Sequence, residues 1–171
     1  MTASVVAIQP AYGDAWTRRQ FAATLERPVI LTDEPLRRQL TAAELASLTE
    51  LHPTGRAACW GATRSQAAKI AQLDHGDLVL FTGQRHVQGV GRVGVVLHDG
   101  ALAEAIWGLH PRRCSFEVVY TVQDFRAVGV PYPVLQEALG SSERDNFMGL
   151  RLVRDQHRVA AVERLVQHGL L

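Results

Sequence analysis

Apolar positions along the chain recur with a period near two in some stretches and near three to four in others. The switches between the two mark out short elements. Ser4 to Ile8 reads as a first strand, ended by Pro10 and the Tyr12-Gly13 turn. Asp14 is placed to cap a helix through Leu25, with Trp16, Phe21 and Leu25 near one face and Pro28 stopping it. Val29 to Leu31 is a short extended piece. Thr41 and Glu44 have capping-box spacing, because each side chain can satisfy the other's free amide. The helix they open turns Leu45, Leu48 and Leu51 inward and ends before Pro53-Thr54-Gly55.

A polar loop or helical turn follows Trp60. Gly76-Asp77 then opens an apolar strand, Leu78 to Phe81, with Val87 to Val96 as its hairpin partner. Residues 101–107 are a short helix closed by Gly108, and Ser115 to Val122 alternates as a strand. Val130-Pro131-Tyr132-Pro133 is extended, and Val134 to Leu139 is a helix capped by Gly140. Phe147 to Leu150 is a last short strand, before a C-terminal helix from Gln156 to Gln167. Short strands mix with short helices, without the regular alternation of a parallel sheet. The expected class is α+β, a small curved sheet or partly open barrel with short flanking helices.

With 171 residues, 47% of them apolar, the chain can bury one core. Residues 1–155 are expected to form that domain, and residues 156–171 a C-terminal helix or linker to a further segment. The net charge of +1 removes any argument from strong basicity. Its makeup says more: Lys69 is the only lysine among 18 cations, and the rest are arginine. Arginine's planar fork suits phosphates and base edges. A GC-rich coding sequence gives the same bias, together with abundant Ala, Val, Leu and Gly.

Cys59 and Cys114 make neither a zinc pattern nor a disulfide framework. The N-terminus lacks the layout of a secretory signal, and no apolar run reaches membrane-spanning length. A cytoplasmic protein without a membrane partner is expected. The seven histidines fall in no metal-ligand spacing, and neither a nucleophile elbow nor a phosphate-binding loop is present. Gly89-x-Gly91-x-x-Gly94 has the letters of a dinucleotide fingerprint but lies inside a strand-like run. Glu143-Arg144-Asp145 is a fragment of a nuclease carboxylate cluster with no lysine following at useful spacing. The chain reads as a binder, with no catalytic residue, metal or cofactor.

Trp60-Gly61-Ala62-Thr63-Arg64, the polar stretch with Gln66, and Gly76-Asp77-Leu78-Val79-Leu80-Phe81 resemble the EVE domain. That domain belongs to the PUA-like superfamily, with the YTH readers of methylated RNA. Val87-Gln88-Gly89-Val90-Gly91-Arg92-Val93 continues the likeness, as do Ile106-Trp107-Gly108, Phe116 to Tyr120, and Val130-Pro131-Tyr132. With "PVIL" and "LHPTGRAACWG" ahead of them, these residues resemble most the EVE-like modules at the N-terminus of modification-dependent (type IV) restriction proteins.

The resemblance implies a reader that swings a modified base out of its strand into an aromatic cage. Extrusion costs a few kcal/mol. Stacking on aromatics returns about 1–3 kcal/mol per base, and a buried methyl adds roughly 0.8 kcal/mol. Carried over residue by residue, Trp60 and Trp107 are the cage candidates, and Phe81 and Tyr120 stand between core and pocket wall. Ser65 and Gln66 occupy the loop expected to read the nucleotide. Arg64, Arg85, His86, Arg92, Arg112 and Arg113 are the candidates for phosphate contact.

The first strand ends in Gln9-Pro10, where YTH readers carry asparagines. The modification therefore stays open among 5-methylcytosine, 5-hydroxymethylcytosine and N6-methyladenine. The expected partner is modified DNA. An RNA-binding PUA-like module and a small-molecule or protein-interaction domain are the alternatives.

Overall fold

The computed structural model describes residues 2–111 and 115–171. Its centre is an open, mixed seven-stranded sheet. The strands are β1 (Val6–Pro10), β2 (Val29–Ile30), β3 (Arg56–Thr63), β4 (Leu78–Gly83), β5 (His86–Leu97), β6 (Phe116–Pro131) and β7 (Arg151–Val153), in the spatial order β2-β3-β6-β5-β4-β1-β7. All neighbours are antiparallel except β1 and β4, which run parallel. Around the sheet lie α1 (Ala15–Phe21), α2 (Ala42–Leu51), α3 (Arg64–Ile70), α4 (Gly100–Trp107), α5 (Tyr132–Leu139) and α6 (Gln156–Gln167). This is the expected α+β class, with the sheet left open rather than closed into a barrel. No helix among the described residues is long and apolar enough to cross a membrane.

The central strands are buried on both faces, which is why Leu78 to Phe81 reads as a continuous apolar run. Val79 and Phe81 face one way, with Ala7, Phe21, Trp60, Val118 and Tyr120. Leu78 and Leu80 face the other, with Val6, Ile8, Leu135, Val159 and Val162. Asp77 fixes this arrangement: its carboxylate accepts from the N–H groups of Ser4, Val5 and Asp74, each at 2.9 Å, and so ties the start of β1 to the start of β4.

Helix starts follow the caps read from sequence. Asp14 accepts from Thr17 N, Thr41 and Glu44 close their box, and Gly140 ends α5 in the left-handed region. α6 is part of the folded body. Val159 and Val162 enter the core, and Glu163 pairs through both oxygens with Arg92, at 3.1 Å each.

Four elements differ from expectation. β3 was not expected as a strand, because Ala57, Ala58, Gly61 and Ala62 lack the branched side chains that signal one. It stands because β6 pairs along it and large rings from elsewhere fill the space its small residues leave. A Cβ on Gly61, for example, would lie 2.4 Å from the Phe116 ring. The expected strand from Ser115 to Val122 continues to Pro131, so Val130-Pro131 closes β6 and Tyr132 opens α5. Residues 147–150 form no strand, since Phe147 (φ 50°) and Gly149 (φ 74°) are left-handed; β7 comes after them. The helix capped by Asp14 is regular only to Phe21 and finishes as a π turn, Ala22–Glu26.

Candidate functional site

A well-formed cavity opens between the β1–α1 connection, the start of α3, the β4–β5 turn and the loop before β7. Its volume is about 560 Å³. Its aromatic lining comes from five separate elements: Trp16, Trp60, Phe116, Tyr132 and Phe147. Trp16 and Phe116, both partly exposed, hold their ring centroids 5.8 Å apart at a 57° tilt. His110 packs edge-on to Trp16 at 4.7 Å and meets the Asp14 carboxylate at 3.2 Å, which braces α1 against the segment after α4.

Among the described residues, Gln9 Oε1 and Trp60 Nε1 are two of the three buried polar atoms of cavity-lining residues without a hydrogen-bond partner, Thr82 Oγ1 being the third. Leaving either without a partner costs about 1–3 kcal/mol. Gln9 is only 2% exposed, and its amide nitrogen donates to Pro10 O at 3.3 Å. An acceptor (Gln9) and a donor (Trp60) of the cavity lining thus have no partner among the described residues. Burial raises the pKa of the Tyr132 phenol against the opposing influence of the Thr82 hydroxyl and the Arg85 charge, so the group stays protonated.

The rim is partly strained. The two-residue turn Gln84-Arg85 has φ of 51° and 63°, the mirror-image form that suits a twisted hairpin and is normally filled by Asn-Gly. It holds Arg85 at the cavity mouth, with a guanidinium nitrogen 3.4 Å from Asn146 Oδ1. Beside Asn146 in the chain, Asp145 takes both ends of the Arg151 guanidinium at 2.6 and 3.0 Å. That hydrogen-bonded partner holds the Asp145 pKa below its ordinary value.

The structure gathers some of the sequence candidates here and disperses others. Trp60 lines the cavity, yet it is 1% exposed and ringed by Phe21, Phe81, Trp107 and Phe116 at 5.8–6.5 Å. It is a core residue that also borders the cavity. Gln66 lines the cavity too, its side-chain oxygen accepting from Thr63 N. Ser65 is exposed on α3 beside the Thr63 hydroxyl. Trp107, Phe81 and Tyr120 do not border this cavity. The Trp107 indole donates to Thr24 Oγ1 at 3.2 Å inside the core, while Phe81 and Tyr120 are fully enclosed.

Of the expected phosphate contacts, Arg85 is at the mouth and His86 beside it, bonded to Gln84 O. Arg64 is exposed on α3. Arg92 is occupied by Glu163 of α6 and by Gly76 O ahead of β4, and it does not line the cavity. Arg112 and Arg113 lie outside the described residues.

Gln9, Trp16, Phe116, Asn146 and Met148 were missed as site residues. For Trp16 a signal was present: it stands five positions before Phe21, a spacing that places two side chains on different helix faces. Phe21 is buried and Trp16 faces the cavity.

No family model matches the sequence, and no curated protein matches it. Among solved structures, the N-terminal domain of McrB from Thermococcus gammatolerans, bound to m5C DNA, matches 97% of this chain and 99% of its own length. The TM-score is 0.67 at 15% sequence identity. At that identity the likeness is one of architecture, and it extends from end to end: the chain has the α+β fold of that domain.

Proposed function

We propose that this domain reads modified bases in DNA, taking a single extruded base into the cavity between β1, α1, α3 and the loop before β7. The carrying observation is the pairing of an aromatic-walled space of about 560 Å³ with a buried acceptor, Gln9 Oε1, and a buried donor, Trp60 Nε1, that have no partner among the described residues. Aromatic faces return stacking to a base that has lost it. An acceptor and a donor answer the amino and ring-nitrogen edge that cytosine and adenine present. The fold likeness supports the same reading, because the McrB domain was solved on m5C DNA.

Trp16 and Phe116 serve as the ring walls, Trp60 closes the floor, Gln9 and Gln66 read the base edge, and Arg85 holds a flanking phosphate. The module acts as a binding domain, targeting a modification-dependent restriction protein whose nuclease lies on another segment. The sequence resemblance to the N-terminal modules of such proteins supports that placement.

Anisotropy titrations at one stated salt concentration test the reading. The matched duplexes are unmodified or carry 5-methylcytosine, 5-hydroxymethylcytosine or N6-methyladenine, with single-stranded RNA alongside. The expected result is preference for one modified duplex, reduced about tenfold by Gln9→Leu, as for loss of one buried hydrogen bond, and removed by Trp16→Ala. Equal binding to every duplex, unaffected by either substitution, rejects the reading. Tighter binding to the RNA replaces the partner.

A further inference from the structure

Met148 is 83% exposed, the most accessible large apolar side chain among the described residues. It stands on a fixed support. Phe147 beneath it is 1% exposed, packs edge-on against Tyr132 at 4.9 Å, and lies under the Arg151 guanidinium at 5.3 Å. The left-handed Phe147 and Gly149 on either side turn its side chain outward.

Met148 also stands on a boundary: among the described residues it alone lines both the base cavity and a neighbouring open cleft of about 450 Å³. That cleft brings together Lys69, Arg151 and Arg154 with no carboxylate in its lining. Arg151 is neutralised by Asp145, but among the described residues Lys69 and Arg154 are bonded only to neutral oxygens, Leu150 O at 2.7 Å and Gln72 Oε1 at 2.8 Å. Two uncompensated cations therefore face the cleft in a chain whose net charge is only +1.

Resting on the base-reading function, we propose that the DNA strand runs from the cavity across Met148 into this cleft. Lys69 and Arg154 hold the phosphodiester backbone there, and Met148 fills the gap left in the stack by the extruded base. An apolar wedge in such a gap replaces the stacking contacts that extrusion removes. The cations act on any sequence, through counterion release.

The two parts have separate readouts in the intact chain. Arg154→Gln, at an exposed position, is expected to reduce the slope of log affinity against log salt by about 0.9 on modified and unmodified duplexes alike. An unchanged slope overturns the backbone track. Met148→Ala is expected to weaken binding about tenfold to a duplex with one 5-methylcytosine paired to guanine. The same variant should bind within about twofold of wild type when that 5-methylcytosine faces an abasic site, where extrusion is already easy. Equal loss on both duplexes, or on neither, overturns the wedge. If the wild type shows no preference for any modified duplex while Arg154→Gln still lowers the slope, base reading fails and the cleft stands.

Discussion

Individual side chains here trade stability for position, most visibly at Arg85. A non-glycine residue in the left-handed region carries about 1–2 kcal/mol of strain, and Gln84-Arg85 places two of them in sequence at the cavity mouth. Arg85→Gly relieves that strain and removes the rim cation. It should raise stability by about 1 kcal/mol and weaken DNA binding, so thermal melting and anisotropy must move in opposite senses. A fall in both, or no change in affinity, would mean that Arg85 does not serve the site.

Trp60 calls for a different kind of care. Truncating so enclosed a ring to alanine costs about 3–5 kcal/mol of stability, so lost binding in that variant would not separate wall from core. Trp16, partly exposed at the cavity, gives the cleaner test. Sequence favoured Trp60 because its flanking letters carry the resemblance, whereas nothing local distinguishes a tryptophan that faces a cavity from one that faces a core.

At the scale of elements, legibility followed how local the cause was. Caps and turns were readable because Asp14, Thr41, Glu44 and Gly140 act within a few residues of themselves. β3 was not, because its strand character depends on β6, more than fifty residues away in sequence, and on rings such as Phe116 that fill the room above Gly61. Arg92 shows the same limit. Its charge suggested phosphate, but α6 returns across the sheet and supplies Glu163.

That pair has a pH signature. Burial raises the Glu163 pKa, yet the Arg92 guanidinium and the Ala3 N–H outweigh it and hold the carboxyl below its ordinary value. A depressed carboxyl stabilises the fold above its unfolded pKa, and that contribution fades as pH falls through the lower folded value. Glu163→Gln should therefore lose about 3 kcal/mol near neutrality, since it leaves Arg92 without its counter-charge. Unfolding free energies of variant and wild type should converge as acid protonates Glu163. A gap that stays constant with pH would assign the loss to packing instead.

For the molecule as a whole, the site is a product of topology. The cavity collects Gln9 from β1, Trp16 from α1, Trp60 from β3, Phe116 from β6 and Phe147 from the loop before β7, and only the closed chain brings them together. Period and composition gave the class of fold but not this meeting point, because each contributor is an ordinary residue in its own segment. The same interdependence bears on residues 156–171, read from sequence as a helix or linker beyond the domain. Val159, Val162 and Leu171 are each at most 1% exposed, in the cluster that also holds Val6, Ile8 and Leu80 of the central strands. Burying each such side chain is worth about 1.5–3 kcal/mol, and the three together approach the 5–15 kcal/mol by which a typical domain is stable. A chain ending at Asp155 would expose the outer face of β1 and β4 and leave Arg92 unpaired. It is expected to lose its cooperative thermal transition and all modified-DNA preference. Cooperative melting within a few degrees of the full chain would instead mean that the sheet and its cavity fold without α6.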